Sequence, residues 1–358
     1  MPRTLIAILL GLAIGCGSPA PNAPPAAQPT GGGAPQAEAE LAQYKGADRA
    51  QVLETRARQE GGQIVIYSNG TVMQPVLNQF EKKYPFLKAQ LVTGDAATIS
   101  RRVTDEYKAG RHDVDGFETS IEGLILPGQQ GVLQAYYSPE LANYPDKVKS
   151  PQGYWTIVRE SYIGLGFNTN KLKEAEVPHS YHELGDPKWK GRMAVSDSTS
   201  TGANFVGTML MRESEEFVRS LKAQNIRVIQ GTGRVVADLI IAGEVDLSPT
   251  IYNSHVADSS SKGAPIGWVP LEPDYVTEVV FALASQAPHP ASTLLLADYL
   301  LSKEGQELYQ SIGYGSSYIG LVNKETSFEK AYVSLDPSYV QNFPRWSKLF
   351  QETFLQAN

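Results

Sequence analysis

An α/β fold is what this sequence predicts. Apolar runs of strand length alternate with stretches whose large apolar residues recur at helical spacing, and turn residues fall at the junctions. The first five elements read strand-helix-strand-helix-strand, an order that argues for a parallel sheet with helices on its faces.

Each element has its own reason. QIVIYSNG is a β-rich run that ends in a turn, hence a strand. TVMQPVLNQFEKKYP carries Val72, Val76, Phe80 and Tyr84 at helical spacing. LKAQLVTG is a second strand. TISRRVTDEYKAG places Ile99, Val103 and Tyr107 four apart and stops at Gly110, a helix with a glycine end. DVDGFETS is a third, short strand, and YIGLGFNTNKL another. GRMAVSDSTSTGANFVGTMLM reads strand, polar loop, helix. GRVVADLIIAG is a helix closed by Gly243, followed by the strands EVDLSPTIY and VTEVVFALAS. Helices in ASTLLLADYLLSKEGQELYQS and PRWSKLFQETF complete the pattern. Ligands of open α/β sheets sit beyond the carboxyl ends of the strands. The loops of interest are therefore 67–71, 118–120, 196–202 and 252–253.

The first sixty residues have a different character. A ten-residue apolar run at 5–14 follows Arg3 and precedes small residues, too short for a bilayer span and fitting a secretory signal. Ala13-Ile14-Gly15-Cys16 resembles a bacterial lipoprotein signal, in which cleavage precedes an acylated cysteine. Residues 1–15 are then a signal peptide, Cys16 the lipidation site, and the Pro/Gly/Ala-rich 16–40 a disordered tether. Cys16 is the only cysteine, so neither an internal disulfide nor a cysteine metal cluster can form. With 31 basic and 38 acidic residues the chain carries a net charge of -7 and has no basic block, which leaves nucleic-acid binding unsupported.

The order and wording of eight segments resemble the extracellular solute-binding proteins of ABC importers, specifically the ferric-ion-binding-like branch. They are IVIYSNG, FEKKYP, RRVTDEYKAGRHDVD, YIGLGFNTNKL, DPKWKGRMAVSDSTSTGA, IIAGEVDLSPTIYNS, KGAPIGWVPLEP and ADYLLSKEGQELYQS, and they cover nearly all of 61–325. The resemblance implies a two-lobed type II periplasmic-binding fold with crossover hinge strands. YIGLGFNT near 165 and GAPIGWVP near 265 are the expected crossings. One lobe is expected over 41–163 plus 266–325, the other over 164–265 plus 326–358.

In the ferric branch one lobe supplies a histidine and a glutamate and the other two adjacent tyrosines. Fe(III) is hard and prefers anionic oxygen. Here Glu118 stands in the glutamate place and Tyr252 in that of the first tyrosine. Asn253 replaces the second tyrosine and Thr71 the histidine, both neutral. A metal set of Glu118 and Tyr252 therefore applies only if the cargo is ferric. The alternatives are a helix-capping carboxylate for Glu118 and a cleft wall for Tyr252.

The hydroxyl-rich turn Ser198, Thr199, Ser200, Thr201 leads through Gly202 into a helix, where free backbone donors favour an anion. Plain N-capping is the alternative, but capping needs one such residue and here four run consecutively. Ser68, Asn69, Gly70 and Thr71 make the same case on the other lobe, with Thr119 beside Glu118. The five histidines, His112, His179, His182, His255 and His289, lack metal spacing, and His255 reads best as a surface residue. No nucleophile elbow, Walker loop or dinucleotide fingerprint is present.

The expectation is a lipid-anchored, monomeric, extracytoplasmic (periplasmic) receptor that captures a small polar or anionic solute and passes it to an ABC permease. It has no catalytic residues and no cofactor, and ferric ion is the alternative cargo. A ligand sensor for a signalling system on the same scaffold is the second reading, and a secreted enzyme the third.

Overall fold

The computed structural model describes residues 38–197, 199–321, 329–336 and 338–355, without the side chains of 199 and 200. The signal peptide, Cys16 and most of the tether lie outside the described residues. The last three tether residues do not: helix α1 (Glu38–Ala42) already begins there, because Leu41 and Ala42 are buried. Helix α2 (Arg49–Gln59) follows and was not anticipated from the sequence. Its Leu53 and Ala57, four apart, are fully buried, and Arg49 pairs with Asp298 at 3.0 Å.

Strands β1 (Gln63–Ser68), β2 (Lys88–Thr93) and β3 (Gly116–Thr119) alternate with helices α3 (Met73–Lys83), α4 (Ala96–Lys108) and α5 (Ile121–Gln129). Gly110, just beyond α4, has φ +69°, the left-handed turn expected of it. The short β4 (Leu133–Gln134) leads to the long β5 (Trp155–Asn168). Next come β6 (Ala194–Ser196), α6 (Thr199–Met209), α7 (Glu215–Ser220), β7 (Arg227–Ile229), α8 (Gly233–Ile241), β8 (Leu247–Tyr252), α9 (Asn253–Ser261) and β9 (Ile266–Val269). Strand β10 (Asp274–Ala284), helices α10 (Pro290–Leu301) and α11 (Lys303–Ser311), β11 (Lys330–Ala331) and α12 (Tyr339–Phe350) complete the order.

The main sheet runs β2-β1-β3-β10-β5-β8, with β4 and β11 on β10 and β9 on β5. β1, β2 and β3 are mutually parallel, as the opening alternation predicts, while β10 is antiparallel to β3 and β5. β6 and β7 form a separate parallel pair.

The apolar core has two large clusters. The first takes Leu53, Ile64, Ile66, Phe80 and Phe117 together with Val280, Phe281 and α10. The second takes Ile163, Leu165 and Phe167 with Phe205 and Met209 of α6 and Trp346 and Phe350 of α12. A smaller third cluster lies among α8, β8 and β9.

Two strands belong to both large clusters. β5 places Ile157 and Val158 in the first and Ile163 onward in the second. β10 places Tyr275 in the second and Val279 onward in the first. The crossing expected at YIGLGFNT thus falls on β5, a few residues upstream. The crossing expected at GAPIGWVP is corrected: β9 stays with the second and third clusters, and β10 makes the passage. The longer β10 has a continuous apolar half that needs the first core, whereas four-residue β9 pairs only with β5.

Candidate functional site

A cavity of about 420 Å³ lies beyond the carboxyl ends of β1, β2, β3 and β8. Its size and place are those of a small-molecule site in an open α/β sheet. Each strand end delivers a short lining segment: 69–72 after β1, Asp95 and Ala96 after β2, Ser120 and Glu122 after β3, and Tyr252, Ser254 and His255 after β8. Thr201 and Asn204 of α6 join them, as do Arg159 and Ser161 of β5 and Tyr275, Thr277, Glu278 and Val279 of β10. Tyr314 and Ser334 close the wall. The β5–β10 register shifts between Val279 and Val280, beside Arg159 and Glu278. Such bulges re-aim side chains next to binding sites.

Of the residues anticipated from the sequence, Asn69, Gly70, Thr71, Thr201 and Tyr252 line this cavity. Ser68, Glu118 and Thr119 do not, because all three are fully buried beneath it. β1 and β3 pair Ser68 with Glu118 in register, so the Ser68 hydroxyl donates to Glu118 Oε2. Arg159 Nε donates to Glu118 Oε1 at 2.6 Å. Both carboxylate oxygens are thereby used, and Glu118 positions Arg159 rather than meeting ligand itself. Arg159 in turn donates from Nη2 to Asn69 Oδ1 at 3.3 Å and lies over the Tyr314 ring at 4.9 Å. Burial alone would lower the guanidinium pKa, but the Glu118 charge outweighs it and holds the pKa above the ordinary value.

Thr119 is buried against Gly123 of α5, where an added Cβ would come within 2.7 Å of its hydroxyl. Gly202 serves packing: a Cβ there would meet the Phe350 ring of α12 at 3.0 Å. Asn253 opens α9, is buried, and lies off the cavity wall. Ser198 lies outside the described residues, as do the side chains of Thr199 and Ser200.

Tyr252 is half-buried, with the Thr277 and Thr201 hydroxyls beside its phenol. Burial raises its pKa and those hydroxyls partly offset the rise, so the resting group is a neutral phenol. His255 lines the cavity rather than the surface, 5.1 Å from the Tyr252 ring. Burial, then the Arg234 charge, lowers its pKa and keeps it neutral.

Two carboxylates in the wall were not anticipated from the sequence. Glu122 Oε1 accepts from Tyr339 of α12 at 2.9 Å, and its Oε2 is buried without a partner. Glu278 is 1% exposed; Ser334 donates to Oε1, and Oε2 has no partner. Burial first, then the Glu122 charge, pushes the Glu278 pKa up to about 8. A glutamate inside the apolar run VTEVVFALAS was the signal that could have found Glu278, as the Arg-Glu pair inside WTIVRESYIGL was for Arg159, whereas Glu122 had no such signal. Among the described residues no group of three or more His, Cys, Asp or Glu side chains is placed to hold a metal ion.

Comparison with known proteins bears on this geometry. A family profile described as bacterial extracellular solute-binding protein matches residues 127–335. The chain is 27% identical over 175 residues to iron uptake protein A1 of Synechocystis sp., an alignment spanning 47% of this chain and about half, 48%, of that one. Among solved structures, apo ferric ion-binding protein A of Pasteurella haemolytica superimposes with a TM-score of 0.69 at 18% identity, covering 83% of this chain and all of that one. A Trichodesmium protein in complex with iron and citrate ligands gives a TM-score of 0.67 at 19% identity, covering 82% of this chain and 99% of that one.

Proposed function

This chain belongs to the bacterial extracellular solute-binding proteins, binding proteins and not enzymes with a two-lobed α/β fold, and from that premise we propose that it captures a small polar organic solute in the 420 Å³ cavity and delivers it to an ABC permease. The observation that carries this reading is the cavity itself. It gathers the ends of four strands and is walled by both large core clusters, the arrangement in which two lobes close on a ligand. The lobes are the two clusters, with β5 and β10 as hinge strands. Tyr252, Thr201, Thr71 and Asn69 hydrogen-bond the solute. Arg159 faces any anionic group the solute carries.

Ferric ion is the second reading. A phenol and two carboxylates, Tyr252, Glu122 and Glu278, are hard oxygen donors, and the names of two similar proteins speak of iron. Mass spectrometry of the purified chain under native conditions, with metal analysis of the same sample, separates the two. An organic mass is expected. A purple-red protein with stoichiometric iron, bleached by Tyr252→Phe, overturns the organic reading in favour of iron. With an organic solute, Tyr252→Phe weakens binding by about 1 kcal/mol, one hydrogen bond.

The anchor belongs to this proposal too. Acylated Cys16 holds the receptor at the outer face of a membrane, and the residues behind it act as its tether. Cys16→Ala moves the protein from the detergent to the aqueous phase; a wild-type chain found in the aqueous phase with an unmodified thiol refutes the anchor.

A further inference from the structure

We propose that Glu122, Glu278 and Asn204 form a cation subsite at one end of the cavity that takes a protonated amine carried by the solute. This rests on the solute-capture reading above and narrows its ligand class.

Five polar atoms of the cavity wall are buried without a partner among the described residues: Glu122 Oε2, Glu278 Oε2, Asn204 Oδ1, Tyr275 OH and His255 Nδ1. Three of them, the two carboxylate oxygens and the amide oxygen, are built to accept, and these three are the ones an ammonium would meet. They come from three elements, α5, β10 and α6, that share no local reason to leave an acceptor unmet. Leaving a buried acceptor unsatisfied costs about 1–3 kcal/mol, more for a charged one. A fold does not carry three such costs around one cavity without a return. Acceptors ask for donors, and an ammonium group supplies three N–H donors with the compensating charge.

The remaining oxygens are held for this role. Tyr339 donates to Glu122 Oε1 and Ser334 to Glu278 Oε1, which fixes each carboxylate while leaving its second oxygen clear. Tyr275, 1% exposed and lining the cavity, adds an aromatic wall suited to a cation.

Glu160 provides the internal control. It stands opposite Glu278 in the β5–β10 register and is equally buried. Yet it accepts from Tyr162 at 2.6 Å, Tyr332 at 2.6 Å, Lys330 at 2.5 Å and Ser317. Where this fold buries a glutamate for structure, it surrounds it with donors. Glu278 accepts from a single neighbouring side chain, Ser334, and lines the cavity. The charge around the cavity agrees. Asp95 and Glu122 line it against one cation, Arg159, whose charge Glu118 already meets, and Glu278, protonated in the empty protein, gives up its proton as an ammonium arrives. An ammonium balances the excess that a purely anionic solute would worsen. Among the described residues no three His, Cys, Asp or Glu side chains converge, so a metal ion here would have to draw on the Tyr252 phenol as well.

The test is calorimetry on the full chain with matched probes that differ only in amine or hydroxyl: β-alanine against 3-hydroxypropionate, and 2-aminoethyl phosphate against 2-hydroxyethyl phosphate. In parallel, the chain is incubated with a bacterial small-molecule extract and the retained mass is identified. The expected result is an amine member bound about tenfold tighter than its hydroxyl twin, or an amine-bearing retained solute. Glu122→Gln and Glu278→Gln each then reduce the amine preference to about threefold or less while leaving the hydroxyl twin little changed. The half-buried Glu122 carries the test should the Glu278 variant not fold. Equal binding of both members or a retained solute without an amine overturns the subsite and leaves solute capture standing, whereas a retained metal ion overturns the subsite and the organic reading together. Retention of nothing, with no heat from any probe, overturns capture as well.

Discussion

Glu278 has a consequence for stability as well as for binding. Burial and the Glu122 charge raise its pKa from an ordinary 4.5 to about 8, with Ser334 opposing and Glu160 adding a smaller push. Between those values the folded state holds a proton that the unfolded chain has released. Stability of the empty protein therefore falls as pH rises from about 4.5 to about 8, by roughly 1 kcal/mol per pH unit. Glu278→Gln removes that slope, and denaturant melts at pH 5 and pH 8 measure it. An unchanged slope in the variant means that another group is responsible. Residues at strand ends, such as Asn69, Thr71 and Tyr252, were legible in the sequence because turn chemistry and strand order mark where a cleft opens. Glu122, Arg159 and Glu278 were not. They sit within regular elements, and only the pairing of β5 with β10 and the packing of α5 bring them to the wall. Glu118 misled for the same reason: its partner Arg159 lies 41 residues away.

Helix α12 shows how packing between elements reaches the cavity. It seats on α6 over two glycines, Gly202 facing Phe350 and Gly207 facing Trp346, where an added Cβ would lie 2.8 Å from the indole. Tyr339, at the start of the same helix, donates to Glu122. Gly207→Leu forces the indole aside, costs about 2 kcal/mol of overpacking, and pulls Tyr339 from Glu122. The expected readout is a lower melting temperature together with weaker solute binding, although residue 207 lies off the cavity wall. Unchanged affinity alongside the lower melting temperature shows that α12 and the cavity are independent. Most helices and strands were legible from periodicity. The identity of the second crossing strand was not, because both β9 and β10 read as strands and only their lengths and partners separate them.

For the whole molecule, β5 and β10 are the two strands shared by both large clusters, so closure on a solute, as proposed, is expected to bend there. Solution scattering is expected to show a smaller radius of gyration at saturating solute, and an identical profile with and without solute rules out closure. β10 also sets a timetable. It begins at residue 274 of 358, yet it lies between β3 and β5 in the middle of the sheet. A chain emerging from the ribosome has made β1, β2, β3 and β5 long before the strand that joins them. Until then both waiting edges are unpaired, open to other chains and unable to lock into a finished sheet. A chain stopped at residue 273 is expected to remain sensitive to protease and to aggregate, whereas one stopped at 355 keeps the complete sheet and resists. The same order leaves the sheet without its middle strand until residue 274 has been made, and a sheet that closes late is compatible with passage of an unfinished chain through a membrane.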